Sequence, residues 1–181
     1  EARYDRFRPE GKSRWKEDKN PGAGTVWDLG VHLLDQAIQL FGLPDGVMSD
    51  IALQRQNAKA PDYFQIILTY KTGLRVVLGS SSLFLGPGPK FQIHGTKGSF
   101  VKNGADPQEK LLFSTKKFDL SNENWGQESP GIYGKLTVLE NDQLIATIIP
   151  SLKGQYQKFY EILAASILSN TLIPPVDPED A

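Results

Sequence analysis

The stretch "GAGTVWDLGVHLLDQAIQLFG", residues 22–42, sets Asp28 and His32 four positions apart. On a helix such residues lie about 5–6 Å apart at Cβ, close enough to address one small ligand together. An imidazole titrates near neutrality, so it can take a proton from an alcohol or return one to a carbonyl. A neighbouring carboxylate can orient the ring, raise its pKa or hydrogen-bond a second hydroxyl. A plainer reading uses the same residues. Thr25 and Asp28 match a capping box, Thr-x-x-Asp, and His32, Asp35 and Gln39 then form the wet side of an amphipathic helix. Gly30 is what the plainer reading leaves over, because an interior helical glycine costs roughly 1 kcal/mol against alanine. It falls nearer the buried side. That predicts close approach of another backbone and a tightly wedged helix, which would fix the directions of Asp28 and His32.

The helix that positions them is predicted over residues 26–41, with Leu29, Leu33, Ala37, Leu40 and Phe41 on the core side and Gly42-Leu43-Pro44 closing it. From 47 to 103 the texture changes to strands: "VMSDIALQRQ", "DYFQIILTY", "LRVVLGSSSLF", "KFQIHG" and "GSFVKN", separated by turn residues, predict a meander of antiparallel hairpins. "GPGP" at 86–89 reads as a loop. Signals are weak over 104–133; then "GKLTVLEN" and "QLIATIIP" predict a hairpin around Asn141 and Asp142. "GQYQKFYEILAASILSN" predicts a second long helix with Tyr156, Phe159, Tyr160, Leu163 and Ile167 on its buried side. Two helices and about eight mostly consecutive strands define an α+β class: one large, mainly antiparallel sheet with helices packed on one face. Its other face, left bare, would be a large apolar patch, so a homo-oligomer through the open sheet face is expected. "EARYDRF" reads as a strand already under way, and "IPPVDPEDA" ends on an acidic opening suited to a further helix. Residues 1–181 are therefore expected to be a single domain, oligomerising through its sheet, cut from a longer protein.

Composition removes several classes of function. With 20 Lys+Arg against 21 Asp+Glu the net charge is -1, so nothing draws the chain to nucleic acid or anionic lipid. There is no cysteine, which excludes thiolate nucleophiles and thiolate zinc sites and accords with a cytoplasmic location. No apolar run reaches the roughly 20 residues of a membrane helix, and the first residues are too polar for a signal peptide. "GAGTVW" resembles the start of a dinucleotide fingerprint, but Trp27 replaces a glycine and no strand precedes it. A metal site would rest on His32 with Asp28 and Asp35, since His94 is the other histidine, and none is expected. His94 at a strand end reads as structural or exposed. Trp15 and Trp125 read as loop aromatics that plug the fold or line a cleft. Arg8 and Arg14 read as surface charges or as holders of a substrate anion or hydroxyl.

Together, "RFRPEGKSRWKE", "PGAGTVWDLGVHLLDQAIQLFGLP" and "FQIHGTKGSFVKNGADPQE" resemble the C-terminal domain of the glucose-fructose oxidoreductase / inositol dehydrogenase / rhizopine catabolism (Gfo/Idh/MocA) family. The core of the likeness is Gly-x-x-x-Asp-x-Gly-x-His-x-x-Asp, matched by Gly24, Asp28, Gly30, His32 and Asp35. The resemblance implies a glyceraldehyde-3-phosphate dehydrogenase-like open sheet following an N-terminal Rossmann domain that binds NAD or NADP; no cofactor is expected on residues 1–181 themselves. It implies His32 as general acid/base and Asp28 as the residue that positions or polarises the substrate hydroxyl, with a sugar, polyol or related hydroxy compound as substrate. A lysine of the nucleotide-binding domain is implied to complete the site. Arg14 and Trp15 are the candidate substrate contacts. The alternative is a non-catalytic sheet module for oligomer assembly, in which Asp28 and His32 are helix surface.

Overall fold

Strands form where apolar and β-branched residues alternate, because successive side chains point to opposite faces of a sheet. The computed structural model describes residues 1–86, 88–115, 119, 121–171 and 173–177. Pro87 of the expected 86–89 loop and residues 178–181 of the expected acidic ending lie outside the described residues. The strands are β1 Ala2–Arg3, β2 Gly46–Ala52, β3 Tyr63–Thr69, β4 Arg75–Ser81, β5 Phe91–Gly95, β6 Gly98–Lys102, β7 Gly134–Glu140 and β8 Gln143–Ile149, and the helices are α1 Val31–Phe41, α2 Gln108–Thr115 and α3 Gln157–Ser169. All eight strands join one sheet in the order β2-β3-β4-β1-β5-β6-β7-β8.

That order confirms the hairpins and corrects the simple meander. β4 and β5 do not pair; β1 lies between them, parallel to β4 and antiparallel to β5. Beyond Arg3 the chain keeps to the same line, with Tyr4 N donating to Gly79 O (3.0 Å) and Arg6 N to Ser81 O (3.0 Å). This course carries Arg6 toward the start of the helix. The last hairpin turns at Asn141 and Asp142, both with positive φ (49° and 60°), the backbone that a two-residue connection between twisted strands requires.

The chain divides into two compact units, Glu1–Asn103 with Lys135–Thr147 and Gly104–Gly134 with Ile148–Ala181. In the first, Phe64, Ile66 and Leu68 of β3 and Val76 and Leu78 of β4 pack against Leu33 and Ala37 of α1. Leu33, Phe64, Leu68 and Leu78 are fully buried, and each such side chain contributes about 1.5–3 kcal/mol relative to exposure. Leu40 and Phe41, expected on the core side of α1, remain exposed, although the Phe41 ring meets that of Tyr70 edge-on with 6.4 Å between centroids. α1 ends as expected, with Gly42 at φ 75° and its N–H on Ile38 O (2.7 Å). Lys90 is buried against the ring of Tyr4, its Nζ makes no hydrogen bond among the described residues, and burial pushes the ammonium down to about 7 although Asp5 opposes this.

The second unit is knotted by a buried amide. The Gln108 side chain donates to Asp106 (3.0 Å) and accepts from the Trp125 indole and from Tyr156 N (3.1 Å each). Trp125 is thus a packing plug. α2 arises from the stretch with weak signals, where no helix was expected. α3 forms as expected, but it buries none of its residues: the stripe from Tyr156 to Ile167 is exposed rather than covered.

Candidate active site

The helix does not begin as an α-helix. Val26–Gly30 form a π turn, and the N–H of Val31 reaches back five residues to Val26 O. π turns are rare and cluster at functional positions. The capping box does not form: Thr25 is itself helical, makes no side-chain cap, and turns its hydroxyl to Pro61 O (3.3 Å). Gly30 is buried, and an added Cβ there would meet Phe64 Cζ at 3.3 Å. The close approach is therefore to an aromatic ring of β3, not to another backbone. The wedge is real and it seats the turn that carries Asp28.

Gly24 makes the second fixture. Its φ of 98° lies in the left-handed region, and a Cβ there would meet Pro61 O at 2.8 Å. In this conformation its N–H donates to Lys16 O (2.9 Å), its carbonyl accepts from Asp28 N (3.1 Å), and Thr25 N donates to Pro61 O (2.8 Å). The loop bearing Lys16 is thereby tied to the turn bearing Asp28.

With no capping box formed, the Asp28 carboxylate is free for cations. Lys16 Nζ donates to its Oδ1, and Arg6 Nη2 lies 3.7 Å from its Oδ2; the side chain is 18 % exposed. Burial alone would raise this carboxyl, but the hydrogen bond and charge of Lys16, with Arg6 and Arg14 behind it, hold it below the ordinary carboxylate value. Asp28 is an ionised acceptor at neutral pH. The Nε of Arg6 is buried and makes no hydrogen bond among the described residues.

Arg14 belongs to the same neighbourhood. It lines the shallow concavity around Asp28 together with Arg6, Lys16, Glu17 and Arg55. Its guanidinium binds Glu17 Oε1 (2.7 and 2.9 Å), while Glu17 Oε2 accepts from Lys12 N (2.9 Å) and Arg55 Nη1 (3.0 Å). Burial opposes ionisation of Glu17, yet the Lys12 N–H and the two arginines pull its carboxyl down to about 2. Arg55 is further held by Asp62, which is fully buried (2.7 Å).

The other candidates separate from this cluster. Trp15 opens a short 3-10 turn, is 62 % exposed, and lies outside the concavity; Lys16 Nζ sits 5.9 Å from its ring. His32 is exposed on the first turn of α1, makes no hydrogen bond among the described residues and does not line the concavity at Asp28. Asp35 is exposed, and no group of three potential metal ligands gathers among the described residues. His94 is exposed with Nδ1 2.9 Å from Ser99 Oγ. The residues missed from the sequence are Lys16, Arg6, Glu17 and Arg55. Lys16 stands 12 positions before Asp28, outside any helical or strand spacing, so no local pattern announced it.

The chain is similar to known proteins over its whole length. A family model described as "Oxidoreductase family, C-terminal alpha/beta domain" matches residues 1–181. The scyllo-inositol 2-dehydrogenase (NADP(+)) of Bacillus subtilis is 39% identical over 171 residues, covering 94% of this chain and 47% of that protein. The Escherichia coli oxidoreductase YdgJ, uncharacterized, is 39% identical over 160 residues, covering 88% and 45%. Among solved structures, an oxidoreductase from Bacillus cereus superposes with a TM-score of 0.84 at 29% identity, covering 99% of this chain and 59% of that one. The yvaA protein of Bacillus subtilis superposes with a TM-score of 0.87 at 37% identity, covering 99% and 50%. The chain spans about half the length of the curated relatives it matches. With its open, mostly antiparallel sheet and its match from first residue to last, the chain belongs to the Gfo/Idh/MocA oxidoreductase family as a C-terminal domain.

Proposed function

We propose that residues 1–181 act as one substrate-binding and assembly domain of an NAD(P)-dependent oxidoreductase whose nucleotide is held by an N-terminal Rossmann domain of the parent protein. The substrate is a sugar, polyol or related hydroxy compound; similarity to an NADP(+)-dependent scyllo-inositol dehydrogenase supports this class. Bound nicotinamide supplies the hydride acceptor or donor. The chain's own residues do the rest. Asp28 accepts a hydrogen bond from a substrate hydroxyl and fixes the reacting carbon, His32 takes the proton released as an alcohol becomes a carbonyl or returns it in the reverse direction, and Arg14 and Trp15 flank the substrate. His32, exposed here, is proposed to be roofed by the nucleotide-binding domain. Isolated residues 1–181 are expected to be inactive.

The observation that carries this reading is the state of Asp28: an ionised, four-fifths buried carboxylate on a π turn, held by Lys16 and Arg6 and one turn before His32. A helix surface residue has no need of such a clamp. In the full-length protein, polyol-dependent reduction of NAD or NADP should fall about 10- to 100-fold in kcat/KM on Asp28→Asn, the loss expected of one charge-assisted hydrogen bond. Unaltered turnover would remove Asp28 from the site.

The same domain is proposed to assemble homo-oligomers through the open sheet face, in a cytoplasmic protein. Cross-strand register puts Met48, Ile67 and Val77 side by side on the face away from α1, and Met48 is 68 % exposed. Light scattering should give an oligomer for the full-length protein and a smaller species for Ile67→Lys; a wild-type monomer would refute assembly.

A further inference from the structure

A backbone seat does not by itself aim a carboxylate. The π turn and the Gly30–Phe64 contact fix where Asp28 stands, but its side chain can still rotate, and a reacting group displaced by about 1 Å can cost about 100-fold in rate. What aims it is Lys16. Lys16 Nζ makes the one hydrogen bond that reaches the Asp28 side chain among the described residues, on Oδ1. Arg6 Nη2, at 3.7 Å from Oδ2, lies beyond hydrogen-bond reach and contributes charge alone. Oδ1 is therefore committed, and Oδ2 keeps its acceptor capacity.

Lys16 is tied at both ends. Its carbonyl accepts from Gly24 N (2.9 Å), the carbonyl of Gly24 accepts from Asp28 N (3.1 Å), and its ammonium returns to the Asp28 carboxylate, which closes a ring through backbone and side chain. The neighbouring acids do not draw the ammonium away. Glu17 already accepts from Lys12 N, Arg14 and Arg55, and Asp18 is paired with Lys59 (3.3 Å). A lysine side chain that stays 41% exposed gains little from an ion pair made for stability. A pair built into a closed ring serves position instead.

The space beside the pair is the size of one functional group. The concavity at Asp28 measures about 10 Å³, room for about one water and hence for a hydroxyl but not for a ring. In so small a space the direction in which the carboxylate presents its acceptor decides whether a hydroxyl is held or missed.

We infer that Lys16 is a positioning residue of the oxidoreductase site: by holding Oδ1 it turns Oδ2 of Asp28 toward the substrate hydroxyl, without touching the substrate itself. This rests on the proposed oxidoreductase reading and adds to it the residue that aims its carboxylate. No bond of Lys16 is made or broken in the reaction.

The test is a double-substitution cycle in the full-length protein, reading kcat/KM for oxidation of scyllo-inositol, glucose and xylose with NAD and with NADP. On the best of these, Lys16→Met should lower kcat/KM about tenfold, Lys16→Arg should return it to within about threefold of wild type, and Lys16→Met added to Asp28→Asn should cost less than about twofold further. An equal loss from Lys16→Met in both backgrounds, or an arginine no better than methionine, would overturn the inference. A crystal structure of Lys16→Met reads the same claim without turnover: the Asp28 carboxylate should leave its wild-type direction, and an unmoved carboxylate would overturn the inference whatever the kinetics. Failure of the parent reading looks different. There the wild type oxidises none of the three compounds, or Asp28→Asn is as active as wild type, and the inference falls with it; where Asp28→Asn lowers turnover and Lys16→Met does not, the reaction stands and the positioning role alone is lost.

Discussion

β3 and β8 are strands of equal length and similar apolar content, YFQIILT and QLIATII, yet they lie in opposite environments. In β3, Phe64, Ile66 and Leu68 are buried under α1 and the alternate residues are half-buried. In β8 every residue is exposed. Local pattern determines that a segment becomes a strand. What covers the strand determines what its side chains contribute. β8 is also an edge, and a flat apolar edge is a hazard unless something pairs with it or covers it. The covered region holds the fold and seats the site through the Phe64–Gly30 contact; the uncovered region is surface available for assembly.

The contrast breaks first under truncation. Phe64→Ala should cost about 3–5 kcal/mol in urea unfolding, since it removes a fully buried ring and the support of the π turn. Leu144→Ala in β8 should change stability by less than about 0.5 kcal/mol. Comparable losses at the two sites would mean that β8 is covered in solution, and the contrast between the strands would disappear.

A smaller effect sharpens the view of the site wall. The Glu17 carboxyl is held at about 2 in the folded chain, below the 4.5 of an unperturbed group. A depressed carboxylate favours folding above the unfolded value, and that contribution is lost as pH falls through the folded one. Thermal melts should therefore show wild type ahead of Glu17→Gln at pH 6, with the gap closing between about pH 4.5 and pH 2. A gap independent of pH would assign the difference to packing.

Much of the strand framework was legible because alternation and turn residues are local signals. The Asn141-Asp142 turn was readable for the same reason. β1 was legible as a strand in "EARYDRF", but its place in the sheet was not, because a short strand inserted parallel to β4 and antiparallel to β5 is specified by long-range pairing alone. α2 lacks a strong amphipathic pattern. In the site, the cost of Gly30 did point to a close approach, although the neighbour is the Phe64 ring. The π turn has no sequence rule of its own and overrode the capping-box pattern at Thr25 and Asp28. Lys16 and Arg6 reach Asp28 through a loop and a strand extension, so only the fold brings the clamp together. Exposure of the α3 stripe was likewise unreadable, since apolar spacing reports a preference for cover and not its presence.

The proposed function makes His32 the carrier of the substrate proton, one turn from an ionised Asp28. The most direct measurement is kcat/KM of full-length His32→Ala for its polyol or sugar substrate, with the melting temperature as a control that an exposed side chain should leave in place. The account predicts a loss of about 10²- to 10⁴-fold; activity within a few-fold of wild type would contradict it.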